Sequence, residues 1–217
     1  MPATTCRAAP QVQSALDSVK SPVDVTDIVR FHRAILEIDL GNADDPHVLR
    51  HHGHDRIKEQ LHAELVTGWV WKLNHTPAET LLLAARAHHL RRWTIPREDF
   101  PTGRAGYIQW RLKLKDFHAA EAGAILEREG YGPDAVERVR TIILRRKLKE
   151  DPDQQTLEDA ICLTFLETQL VPTAEKLNQT KFEEVLRKTL AKMSPAAVEL
   201  ARQLHLPPEA RSLLRSI

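Results

Sequence analysis

Apolar positions along this chain recur with helical spacing, and no segment alternates as a half-buried strand would. The first stripe is Ile28, Phe31, Ile35 and Ile38, which predicts a helix over residues 24–40. Gly41 and Asn42 read as its stop, and residues 42–45 with Pro46 as a turn. Ile57, Leu61, Leu65 and Trp69 fall four apart, with Val66, Val70 and Leu73 widening the stripe, so a second helix is expected over residues 55–73. Thr76-Pro77-Ala78-Glu79 has the composition of a capping box with proline at the first helical position. The third helix, reaching about Trp93, is apolar on most sides through residues 81–85, which places it centrally.

A loop with Pro96, Pro101, Gly103 and Gly106 leads to a long fourth helix over residues 107–129, closed by Gly130 and Gly132. Pro133 opens a fifth helix carrying Val136, Val139, Ile142 and Ile143. Thr156, with Asp159 three residues on, reads as the start of a sixth that extends to about Leu170. Phe182, Val185, Leu186 and Leu190 mark a seventh, Ser194-Pro195 opens an eighth, and a short last helix follows Pro207-Pro208. Residues 1–22 show no period and read as a loosely ordered N-terminal arm. Neither repeat nor linker interrupts residues 23–217. The expected fold class is therefore all-α, a single-domain helical bundle of about eight or nine helices.

Composition narrows the function classes. Of 217 residues, 42% are hydrophobic and 28% charged, the balance of a soluble globular protein. No apolar run approaches the ~18 residues of a membrane-spanning helix, and the first twenty residues show no apolar block of a secretory signal. Lysine and arginine total 31 against 30 acids, a net charge of +1, which argues against a dedicated nucleic-acid binder. Cys6 falls in the arm and Cys162 in an apolar helix, so neither a disulfide framework nor a zinc–thiolate site is indicated and a cytoplasmic setting is expected. Eleven histidines, by contrast, require sorting.

Polar residues on apolar helices carry the chemistry. The sixth helix has no polar face through Leu157, Ala160, Ile161, Cys162, Leu163, Phe165 and Leu166, so Glu158 and Asp159 point inward or into a cleft. An unpaired buried carboxylate costs several kcal/mol, so each needs a cation, a metal or a proton. The ordinary alternative is that both sit in a first helical turn, where acids favour the dipole. His88 and His89 lie 100° apart on the third helix, so only one faces a given partner. His118 falls on the small-residue side of the fourth helix, and Glu64, seven residues after Ile57, shares the buried stripe of the second. Glu64, His89, His118 and Asp159 thus form one candidate ligand set, whose mixed nitrogen and oxygen donors suit iron, manganese or zinc. His51, His52 and His54 with Asp55 read as solvated loop residues, and His32, His47, His75 and His205 have no nameable partners.

A basic cluster of Arg91, Arg92, Arg97, Arg104 and Arg111 is interleaved with Trp93, Tyr107 and Trp110. Guanidinium forks bind phosphate or carboxylate, and aromatic faces hold a ring. The ordinary alternative is surface ion pairing with Glu98, Asp99 and Asp116. Arg145, Arg146, Lys147 and Lys149 read as a solvated helix end, and Lys188 and Lys192 share one helix face.

These motifs are familiar. Residues 84–93 with Ile95-Pro96-Arg97, Gly106-Tyr107-Ile108-Gln109-Trp110-Arg111 and Phe117-His118-Ala119 resemble domain-of-unknown-function family 4202. So do Gln155-Thr156-Leu157-Glu158-Asp159, Phe165-Leu166-Glu167, Lys188-Thr189 with Lys192-Met193-Ser194, and the early Ile38-Asp39, Asn42 and Asp45-Pro46. The resemblance covers roughly residues 28–205 and brings no established activity. The order Glu64, His89, His118, Asp159 is also similar, more distantly, to the HD-domain metal-dependent phosphohydrolases. Those enzymes string a histidine, a His-Asp pair, further histidines and a late aspartate along successive helices. Glu64 stands in place of the first histidine and Leu90 in place of the paired aspartate.

The expected function is a metal-dependent enzyme with an HD-domain-like fold, a hydrolase of a small anionic, phosphate-bearing or nucleotide-like substrate. Glu64, His89, His118 and Asp159 would hold a divalent ion (Fe, Mn or Zn), with Glu158 and His118 as catalytic groups. Arg92, Arg97, Tyr107, Trp110, Arg111, Lys188 and Lys192 would bind the substrate. The alternatives are a metal-free anion- or nucleotide-binding regulatory protein and an iron-dependent oxygenase. No membrane partner is expected.

Overall fold

The computed structural model describes residues 21, 22 and 25–215. The expected arm over residues 1–22 thus lies outside the described residues apart from Ser21 and Pro22. Among the described residues the chain forms ten α-helices and one short β-hairpin. The helices are α1 (Ile28–Ala43), α2 (Lys58–Leu73), α3 (Glu79–Ala87), α4 (Gly103–Arg128), α5 (Pro133–Leu144), α6 (Pro152–Thr168), α7 (Leu170–Ala174), α8 (Gln179–Leu190), α9 (Pro195–Arg202) and α10 (Pro208–Arg215). The hairpin strands are β1 (Val48–His51) and β2 (His54–Ile57). None of these helices is long and apolar enough to cross a membrane.

All-α is the right class, with one local departure. Residues 48–57 pair antiparallel, Val48 with Ile57 and His51 with His54, around His52-Gly53. Both turn residues have positive φ, 47° and 82°, the backbone of a tight two-residue hairpin. The expected second helix therefore begins at Lys58, and residues 55–57 belong to β2. Its start is capped across the hairpin, where Asp45 Oδ2 accepts from the Glu59 N–H at 3.1 Å.

Helix α3 is the hub. Every residue from Leu81 to Ala87 is buried, and the helix packs against α1, α2, α4, α5 and α6. Each of Leu81, Leu82 and Leu83 contributes about 1.5–3 kcal/mol by leaving water. The capping box expected at Thr76 and Glu79 does not form. Ala78 occupies the cap position, and the Glu79 carboxylate accepts from the Tyr131 hydroxyl instead. The helix also ends earlier than expected. The regular helix stops after Ala87; His88 keeps right-handed geometry, Arg91 is left-handed (φ 53°), and a 3₁₀ turn follows at Arg92–Thr94.

Helix α6 starts one turn before Thr156. Asp151 is its cap, accepting from the N–H groups of Asp153 and Gln154 at 3.0 and 3.4 Å. Thr156 Oγ1 instead donates to the Pro152 carbonyl. Glu158 and Asp159 consequently sit in the second turn, where dipole stabilisation has faded, and both are buried. Ser194 caps α9 as expected.

Candidate functional site

Three elements converge on a histidine cluster. α2 supplies His62, and the turn after α3 supplies His88 and His89. One ligand nitrogen from each lies within 4.8 Å of the others, a spacing that small side-chain rotations close onto one ion. The His62 ring is 5.0 Å from that of His88 and 4.5 Å from that of His89, centroid to centroid. His118, from α4, adds a fourth imidazole 5.7 Å from His89. His88 keeps right-handed backbone at the end of α3, yet its ring and that of His89 lie 4.2 Å apart and both within 5.0 Å of the His62 ring.

Hydrogen bonding sets the tautomers. His88 Nδ1 donates to the Ala85 carbonyl at 2.8 Å, and His118 Nδ1 to the Leu90 carbonyl at 2.8 Å. A carbonyl only accepts, so Nδ1 carries the proton and Nε2 keeps a bare lone pair. His89 Nδ1 lies 3.1 Å from the Glu59 carboxylate, which leaves its Nε2 free in the same way. This carboxylate–imidazole relay is the usual support of a metal-bound histidine. His88 Nε2, His118 Nε2 and His62 Nδ1 are all buried with no protein partner. Leaving a polar atom in that condition costs about 1–3 kcal/mol, and an ion would relieve several such costs at once.

The rings are held neutral, the form that ligates. Burial, reinforced by Arg92 and Lys58, pushes His62 down to about 3. Burial likewise takes His118 to about 3 against the pull of its backbone hydrogen bond. His88 and His89 are lowered well below the usual value, first by burial and then by the neighbouring rings and arginines. Burial raises the Glu59 carboxyl, with Lys58 and Arg92 opposing.

A cleft of about 360 Å³ opens onto this cluster. His62, His89 and Glu59 line it, with Lys58, Arg92 and Arg111 around them. Arg92 and Arg111 make no side-chain ion pair or hydrogen bond among the described residues. Arg92 instead lies over the Trp110 ring, 4.7 Å from its centroid, and Trp110 is fixed by its indole N–H on the Ile95 carbonyl at 2.9 Å. Tyr107 stands beside Trp110 at 5.8 Å and is 47% exposed. The helical turn carrying them starts at a close approach: a Cβ on Gly106 would meet the Pro101 carbonyl oxygen at 1.8 Å.

The structure redistributes the residues expected from the sequence. His89 and His118 lie in or beside the cluster, and Arg92, Tyr107, Trp110, Arg111, Glu158 and Lys192 line the cleft. Glu64 is not brought there. It faces outward, 39% exposed, with both oxygens on Arg56 at 2.8–2.9 Å. Asp159 is not a member of the cluster either. Its Oδ1 accepts from the Ser194 N–H and the Gln155 amide, each at 2.8 Å, and so seats the start of α9. Arg97 staples its own loop by donating to the carbonyls of Phe100, Pro101 and Gly103. Lys188 is exposed and paired with Glu184.

Glu158 is buried between Arg145 Nε at 2.8 Å and Lys192 Nζ at 3.3 Å. Burial alone would raise its pKa, but Arg145, Lys192 and Lys115 outweigh it and hold the carboxyl below its ordinary value. Arg145 is therefore no solvated helix end. It is buried, in left-handed geometry (φ 49°), as the counter-charge of Glu158. The expected pairing of the basic cluster with Glu98, Asp99 and Asp116 does not occur among the described residues: Arg91 pairs with Glu121 instead, and Asp116 with Arg146. The residues that the sequence reading passed over are His62, His88 as a ligand, and Glu59. His62 could have been found, since it shares a helical stripe with Val66, Trp69 and Leu73.

Searches of curated proteins and of solved structures return no significant match. A family model does match, over residues 32–214, and the chain belongs to the family described as Domain of unknown function (DUF4202).

Proposed function

We propose that this protein is a metal-dependent hydrolase of a small, phosphate-bearing anion, with its ion held by His62, His88 and His89. One observation carries the reading: three neutral imidazoles have ligand nitrogens within 4.8 Å of one another, and two of them, His62 and His89, line the cleft that also holds the unpaired guanidinium groups of Arg92 and Arg111. An all-imidazole set suits zinc or iron better than manganese, and three histidines with an open position are a known catalytic zinc arrangement.

A divalent ion bound there supplies Lewis acidity and lowers the pKa of water. The residues of the chain do the rest. Glu59 orients His89, and the Ala85 carbonyl orients His88. Arg92 and Arg111 receive the anion and neutralise charge that builds on its oxygens. His118 stays neutral near pH 7, so it serves as a further ligand through Nε2 better than as a proton donor. Glu158, ion-paired on two sides, positions Arg145 and Lys192 and is a poor general base. The HD-domain-like reading belongs to this proposal, supported by the convergence of His62 of α2 with His88 and His89 of the turn after α3, and by His118 of α4 lying 5.7 Å from His89.

The test is release of inorganic phosphate from a panel of phosphate monoesters by untagged protein loaded with zinc or with iron. The expected result is turnover that a chelator and His88→Ala both abolish. Metal-loaded protein that hydrolyses none of them and binds no phosphate contradicts the reading.

A further inference from the structure

At about 360 Å³ the cleft has more room than a small anion needs, and its walls differ from end to end. Glu158, Ile161, Cys162 and Phe165 of α6, with Gln169 capping its end, line it as a stripe at helical spacing. The facing wall is Val185 and Thr189 of α8 with Lys192 just beyond. Two contacts fix how the walls align. Lys192 Nζ meets Glu158, and Cys162 Sγ lies 3.9 Å from the Thr189 carbonyl oxygen. The walls therefore run in opposite directions, and Val185, a turn before Thr189, is level with the Phe165 region.

The charged end is the Glu158 end. Arg145 pairs with Glu158 and acts electrostatically on His88 and His118, and Arg111 and Arg92 act on His118 as well. Away from that end the lining turns apolar. Ile161, Phe165 and Val185 are each only partly buried, so all three present hydrocarbon to the cleft. Phe165 lies seven residues past Glu158, about 10 Å along the helix axis. Inorganic phosphate or a short polyol phosphate would leave this slot filled with water at an apolar wall, an unfavourable arrangement. A flat ring would cover it and stack on Phe165.

We infer that the ligand of this cleft is a phosphate monoester of a flat, largely apolar ring system, its phosphate at Arg92 and Arg111 and its ring along Ile161, Phe165 and Val185. The inference rests on the anion reading above for the head group, and adds the class of the body.

Calorimetric titration with two non-hydrolysable probes tests it: methylphosphonate and 1-naphthylmethylphosphonate, which share a head group. The ring is expected to tighten binding by tenfold or more. Val185→Lys, at a partly exposed position, should remove that gain while leaving methylphosphonate affinity within about twofold. Phe165→Ala, checked for an intact thermal transition, should do the same. Equal affinities for the two probes, or a gain that survives both substitutions, overturns the ring slot and leaves the hydrolase reading standing. Absence of binding by either probe to metal-loaded protein overturns both.

Discussion

Asn42 Oδ1 accepts a hydrogen bond from the backbone N–H of Arg91 at 2.9 Å, tying the end of α1 to the turn that carries the two adjacent histidines. The same stretch of α1 makes room for that turn. A Cβ on Gly41 would come within 2.7 Å of Leu90 Cδ1, and Leu90 is fully buried. Gly41 and Asn42 thus do not stop α1, which runs to Ala43. They hold the loop of the candidate site.

Replacing Asn42 with alanine strands the Arg91 N–H in a left-handed residue. A stability loss of about 1–3 kcal/mol is expected, together with metal affinity reduced at least tenfold because His88 and His89 lose their placement. Denaturant unfolding of the metal-free protein and competition with a chromophoric chelator measure the two effects separately. Unchanged metal affinity would show that the turn does not depend on Asn42.

Glu59 and Glu64 provide an internal contrast. Glu59→Gln removes the carboxylate behind His89 and should weaken metal binding by about 10–100-fold, the usual effect of losing such a partner. Glu64→Gln breaks only the pair with Arg56 at an exposed site and should leave metal binding unchanged. Equal effects of the two would contradict the ligand assignment.

The ring pKa values set a pH dependence with a definite sign. His62 and His118 are lowered in the folded chain to about 3, whereas in the unfolded chain they titrate near 6.5. Between those values the unfolded state binds more protons, so stability rises with pH. The contribution is fully present above about pH 6.5 and is lost as pH falls towards 3. Chelator-treated protein should therefore show flat stability from pH 8 to 7 and a fall below, at up to about 1.4 kcal/mol per pH unit for each ring. His118→Gln should make the fall shallower, read by urea unfolding at a series of pH values. A flat profile down to pH 5 would mean that the rings are not buried neutral.

The helices were legible because their apolar stripes are long and regular, as in Phe31, Ile35 and Ile38 of α1 or Val136, Val139 and Ile143 of α5, all buried. The hairpin was not. Its strands are mostly exposed, so no apolar alternation marks them, and His52-Gly53 is its one turn signal. The early end of α3 was hidden for another reason. Residues 88–93 have helix-compatible composition, and the turn they form is held by a tertiary contact from Asn42 that no local pattern reveals. His89 and His118 stood out as polar residues among apolar neighbours. Glu64 rather than His62 stands out in the sequence because the apolar stripe that begins at Ile57 runs through it, and Ile57 lies in β2. Counted within α2, the buried face carries Glu59, His62, Val66 and Trp69.

The arginines divide by partner. Arg92 and Arg111, unpaired at the cleft, should each cost tenfold or more in phosphonate affinity when changed to alanine. Arg97 is occupied by three carbonyls of its own loop. Arg97→Lys should lower thermal stability with a smaller effect on affinity. Calorimetric titration beside thermal denaturation separates the two classes, and a larger affinity loss at Arg97 would reverse the assignment.

Metal content of protein purified without a histidine tag tests the central claim most directly. About one zinc or iron per chain is expected by elemental analysis, falling to near zero in His62→Ala and in His88→Ala while Glu64→Gln retains it. No stoichiometric ion in the parent protein, with none taken up from added zinc or iron while the fold stays intact, would contradict the account.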